Sequence, residues 1–110
     1  GLSCDRTLMF NDRFGFRNSS ALLWNPWNPV TCHSHLISVG PTILMDSHLY
    51  DYQSLEPLQQ RKAIGTLMYE CRIVHGKAST LWHPHTLTED YGWQNGFEDT
   101  IAELRMLDNE

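Results

Sequence analysis

Cysteine is scarce in this 110-residue chain and odd in number: Cys4, Cys32 and Cys71. No two of them stand in CxxC spacing, so neither a zinc knuckle nor a redox pair is suggested. Such a set fits a reducing compartment, slightly favouring the cytoplasm, over a disulfide scaffold. Long apolar runs are missing as well; none approaches the ~20 residues of a membrane span. Basic residues are few, 8 against 13 acidic ones, for a net charge of -5. That balance argues against nucleic acid and acidic membrane surfaces, both of which need a basic face. Repeats, low-complexity tracts and a signal peptide are absent from the pattern too. The chain opens on Gly1 rather than Met, so a preceding segment is expected.

What is present points to a folded unit. With 41% hydrophobic residues and four Trp, the composition is not that of a disordered chain. The length allows one small domain, residues 1–110, or part of a larger one.

Order along the chain is uneven. Residues 2–9 read as a short strand, followed by a long loop rich in Asn, Pro and Ser that carries Trp24 and Trp27. Connections of that length are uncommon in compact domains and are usually functional when ordered. Val39–Met45 read as a buried strand, with Pro41 suggesting its beginning or an edge position. Ser54 as cap, Pro57 in the first turn and Gly76 at the stop frame a helix. Ile64, Leu67, Met68, Cys71 and Val74 give that helix one apolar face, which makes Cys71 a core residue rather than a reactive one. Ala78–Trp82 form a second strand. A last helix runs from about Asp90 to Met106, with Trp93, Phe97, Ile101 and Leu104 on one side. Gly96 inside it costs roughly 1 kcal/mol relative to Ala.

Strand, helix, strand, helix is the pattern of parallel βα units, an α/β fold. Two helices cannot cover both faces of a parallel sheet, and a closed (β/α) barrel takes ~250 residues. The chain therefore reads as part of a barrel. In barrels, reactive groups sit where strands end. His83 directly follows Ala78–Trp82, and Asp46 directly follows Met45. A carboxylate beside an imidazole orients the ring and favours its protonated form, which suits a general acid. The plainer reading makes His83 a strand-end residue satisfied by a nearby carbonyl.

Two other clusters carry less. Cys32, His33 and His35 are possible zinc ligands by type, yet no second ligand pair stands at a suitable distance. His85 lies two residues beyond His83, with Pro84 between them. Trp82 and Trp93 read as buried anchors, while Trp24 and Trp27, in the loop, are open to a role in stacking on sugar rings.

Three segments in order, "CDRTLMFNDRFGFRNSS", "PTILMDSHL" and "STLWHPHTLTEDYGWQNGFEDTIAEL", resemble the C-terminal half of bacterial polysaccharide deacetylase-like proteins. These are the NodB-homology superfamily of distorted (β/α) barrels. The first resembles a strand end and a Gly-Phe-Arg loop, with Cys4 in place of the usual aromatic; the third resembles the final motif, a strand ending in histidine. The resemblance implies metal-dependent removal of N-acetyl groups from a glycan. It makes His83 the acid that protonates the leaving amine, and leaves either Asp46 or Asp5 to orient it. Arg17 becomes a candidate for holding the glycan or a structural carboxylate, with an ordinary surface arginine as its plain alternative. The loop from Asn11 to His35 is expected over the C-terminal rim, carrying Arg17 toward the cleft. The divalent metal, often zinc, and its Asp and His ligands would belong to the remaining N-terminal half, so this segment alone is expected to be catalytically incomplete. The competing expectation is a noncatalytic carbohydrate-binding or interaction module derived from the same fold, with Trp24 and Trp27 exposed.

Overall fold

The computed structural model describes residues 1–109. Three parallel strands form its sheet: β1 (Cys4–Leu8), β4 (Ser38–Met45) and β5 (Ser79–Leu81), in the order β1-β4-β5. Between β1 and β4 the chain makes a small antiparallel pair, β2 (Trp27–Asn28) and β3 (His33–Ser34). Helices α1 (Asp46–Tyr50) and α2 (Pro57–Ile73) connect β4 to β5. A 3-10 turn at Pro84–Leu87 and helix α3 (Gln94–Asp108) follow β5. The expected α/β class and parallel pairing are present, as three strands with helices rather than a closed barrel.

Strand β4 is central, with its residues from Val39 to Leu44 all buried. Pro41 therefore does not mark an edge. It tolerates the central position because the register with β1 shifts between the pairs Asp5–Val39 and Leu8–Pro41, where a missing N–H breaks no regular ladder. Ile43, Leu44, Leu49, Ile64, Leu67 and Met68 make the core, with Phe14, Tyr50, Trp82 and Leu107 packed around it.

The second helix departs from expectation at both ends. Its cap is Glu56, not Ser54: the Glu56 N–H donates to Gln59 Oε1 at 3.0 Å, and Pro57 occupies the first turn. At the C-terminus His75, not Gly76, takes the left-handed conformation, with φ of 51°. The Gly76 N–H returns to the Cys71 carbonyl, the bond that closes a Schellman-type end. Gly76 is needed for space, since a Cβ there would meet Ala21 at 2.6 Å.

The last helix starts at Gln94, about four residues later than the pattern suggested, because the chain from Pro84 first makes the 3-10 turn. Gly96 is buried against Tyr50 and Trp82; a Cβ would lie 2.6 Å from the Tyr50 hydroxyl. Its backbone N–H donates to that hydroxyl at 2.8 Å. The propensity lost to glycine is thus exchanged for close packing beneath the sheet's C-terminal rim.

Candidate functional site

Register decides which side chains meet. Met45 pairs with Leu81, so the residues that follow these strands emerge side by side. Asp46 begins α1, and His83 stands just before the turn at Pro84. The Asp46 carboxylate is almost wholly buried, with 1% of its side chain exposed, whereas 45% of the His83 side chain is open.

Asp46 is saturated with donors. The His83 backbone N–H donates to Oδ2 at 2.9 Å, and His83 Nδ1 lies 3.0 and 3.1 Å from Oδ1 and Oδ2. The Ser47 N–H donates to Oδ1 at 2.8 Å. Thr86 Oγ1 lies 3.0 Å from Oδ2 and 2.7 Å from the His83 carbonyl, its one proton divided between them. Burial alone would raise the Asp46 pKa, but the bonds from His83, Thr86 and Ser47 outweigh it and hold the carboxyl below its ordinary value. Asp46 is therefore an ionised acceptor, and Nδ1 of His83 carries the proton that faces it. Nε2, on the far side of the ring, is left at the open face.

The structure brings together only one pair of the expected site residues. Asp46, not Asp5, is the carboxylate at His83. Asp5 pairs with Val39 near the start of the sheet, about 20 Å back along β4 at ~3.3 Å per residue. Its carboxylate binds the Thr7 N–H and hydroxyl, at 2.8 and 2.7 Å, and these bonds lower its pKa.

The long loop divides between the two ends of the sheet. Its first part stays at the C-terminal end, where the Gly15 N–H donates to the Ile43 carbonyl. Arg17 is exposed there and donates to the Met9 carbonyl at 3.2 Å. The rest crosses to the opposite end: the Lys77 N–H binds the Ala21 carbonyl, and Trp24 exchanges two backbone bonds with Val39. The expectation that the whole loop covers the C-terminal rim is corrected accordingly. Trp24 and Trp27 are exposed, at 43% and 62%, but stand near the start of β4, away from His83.

Three further residues shape the rim without having been singled out in the sequence. Thr86 locks the turn after β5 onto Asp46. His48 is fully buried; its Nδ1 accepts the Met45 N–H at 3.1 Å, so Nε2 carries the proton given to the Phe10 carbonyl at 3.0 Å. Burial lowers the His48 pKa, keeping this ring neutral as a clasp between the ends of β1 and β4. Tyr91 approaches His85 with ring centroids 5.4 Å apart, and His85 lies 5.8 Å from His83. A Thr three residues after His83, in "HPHT", was the one visible signal for the first of these, since such spacing lets a hydroxyl reach back across a tight turn.

Among the described residues, no three His, Cys, Asp or Glu side chains are grouped to hold a metal ion. Asp46 already spends both oxygens on hydrogen bonds. Comparison with family models, curated proteins and solved structures found no match to this chain.

Proposed function

We propose that the chain is the C-terminal part of a polysaccharide deacetylase-like hydrolase, with His83 as general acid and Asp46 as its positioning residue. The observation that carries this reading is the Asp46–His83 pair: a buried, ionised carboxylate gripping Nδ1 and leaving Nε2 at an open rim. In amide hydrolysis, water adds to the acetamido carbonyl, and the tetrahedral adduct collapses when its nitrogen gains a proton. His83, entering with both ring nitrogens protonated, supplies that proton from Nε2, and a base in the remaining half of the enzyme takes one proton from the attacking water. The C–N bond breaks, and acetic acid and a free amine leave. The ring that remains is protonated at Nδ1, the form that Asp46 accepts, so donation requires no rearrangement.

The open shape agrees with a partial barrel. Both outer strands of the sheet have a free side, and the radius of gyration is 15.6 Å, against about 13 Å for a compact domain of this length. In the proposed enzyme, the remaining N-terminal half closes the barrel and carries the divalent metal. The described residues do not build that metal site.

The exposure of Trp24 and Trp27 favours a second reading, a noncatalytic carbohydrate-binding module. Acetate release from N-acetylglucosamine oligomers separates the two, measured on this chain together with the N-terminal half that the first reading requires. Under the first reading His83→Gln lowers turnover about 10²–10⁴-fold. An unchanged rate, or an N-terminal half without clustered Asp and His residues, overturns it.

A further inference from the structure

The rim beside His83 carries a row of rings held in place from the core outward. Tyr50 is anchored by its hydroxyl, which lies 3.3 Å from the Trp93 carbonyl and accepts the Gly96 N–H. Trp93 stacks on Tyr50 with centroids 4.8 Å apart and planes within 8°. Tyr91 meets Trp93 at 4.8 Å and nearly a right angle, and His85 meets Tyr91 at 5.4 Å and 84°. Edge-to-face and offset geometries at these distances are favourable ring contacts.

The backbone holds Tyr91 in the row. Its N–H and that of Gly92 both return to the Thr88 carbonyl, and the Trp93 N–H returns to Thr86. Gly92, with φ of 86°, takes a conformation that other residues rarely adopt. Tyr91 nevertheless remains 46% exposed. A tyrosine with a fixed ring and an open surface is a platform whose ordering entropy has been met during folding rather than on binding.

We infer that Tyr91, with His85 beside it, is the surface on which the reacting sugar ring lies. This inference rests on the deacetylase reading and names the subsite that reading lacks. A pyranose presents axial C–H groups on one face, and these pack against the π-face of an aromatic ring. Centroid steps of 5.8 and 5.4 Å take His83 to Tyr91 through His85, within the reach of one sugar and its acetamido arm. Trp24 and Trp27 cannot serve the same ring, because they stand at the other end of β4. Asp90 and Glu89 precede Tyr91 and are exposed, so hydroxyl groups at the sugar's edge have acceptors close at hand in sequence.

The test is titration of an N-acetylglucosamine tetramer into the full chain, followed by ring-proton NMR of Tyr91, His85 and His83. These signals should shift together, and Tyr91→Ala should weaken binding at least 10-fold. Tyr91→Phe should bind within 2-fold, since the ring rather than the hydroxyl is used. It also guards against a fold lost in the alanine variant. His83→Gln should bind within about 3-fold even where turnover is abolished, so failure of the chemistry and failure of the platform are distinguishable. No binding by the unmodified chain, equal binding by Tyr91→Ala, or a loss confined to Trp27→Ala would each overturn the inference.

Discussion

The two ends of the sheet are built by opposite rules. At the C-terminal end, Asp46 and His48 are wholly enclosed and hydrogen-bonded, with bonds that cross between elements from His48 to the Phe10 carbonyl and from the His83 N–H to Asp46. At the N-terminal end and in the hairpin, apolar groups are open: Trp27 is 62%, Val30 90% and Leu36 99% exposed. Buried polar networks cost free energy unless complete, so a chain that completes one fixes a geometry there. Exposed apolar side chains fix nothing by themselves. The proposed chemistry is therefore put at the first end, although the hairpin carries the more conspicuous aromatic residues.

The contrast breaks most visibly at Asp46. Asp46→Ala strips the acceptor from the His83 and Ser47 N–H groups and from the Thr86 hydroxyl, and should cost about 3 kcal/mol in urea unfolding. The folded pKa of Asp46 lies below its unfolded value. Its contribution is thus complete above about pH 4 and is lost as pH falls through the folded value. The alanine variant should lack that acid-dependent loss. Gly96→Ala should follow at about 1–3 kcal/mol, because overpacking against Tyr50 and Trp82 exceeds the gain in helix propensity.

His48 sharpens the comparison through pH. Its folded pKa is lowered by burial, so stability is full above the unfolded histidine value of about 6.5 and declines as pH falls below it. Asp12 and Asp46 face it with opposing charge and moderate the decline. Urea midpoints between pH 7.5 and 5.5 should fall for the unmodified chain and stay flatter for His48→Gln, which keeps both bonding partners. Smallest of all, Trp27→Ser in the hairpin should change stability by less than about 0.5 kcal/mol.

Much of the sheet's C-terminal end was legible because strand periodicity and strand-end position are local signals. Ile43 and Leu44 mark a buried strand, and the residues after Met45 and Leu81 become neighbours once parallel pairing is assumed. The helix ends were less so: Ser54 is a better cap by type than Glu56, yet Pro57 fixes the first turn beside Glu56. Asp5 misled because a carboxylate near a strand resembles any other until register places it. The loop misled for a different reason. Its attachments at Gly15 to Ile43, Ala21 to Lys77 and Trp24 to Val39 are backbone bonds that no side-chain pattern announces. The ring row from Tyr50 to His85 joins residues distant in sequence through ring packing and the bonds of the Tyr50 hydroxyl.

The central claim is that Asp46 holds His83 with its proton on Nδ1 and Nε2 outward. Nitrogen-15 NMR of the ring, recorded where His83 is neutral, tests this directly. The account predicts the Nδ1–H tautomer in the unmodified chain and a shift to Nε2–H in Asp46→Asn, whose amide can donate to Nδ1. An Nε2–H tautomer in the unmodified chain, or no change on that substitution, would contradict it.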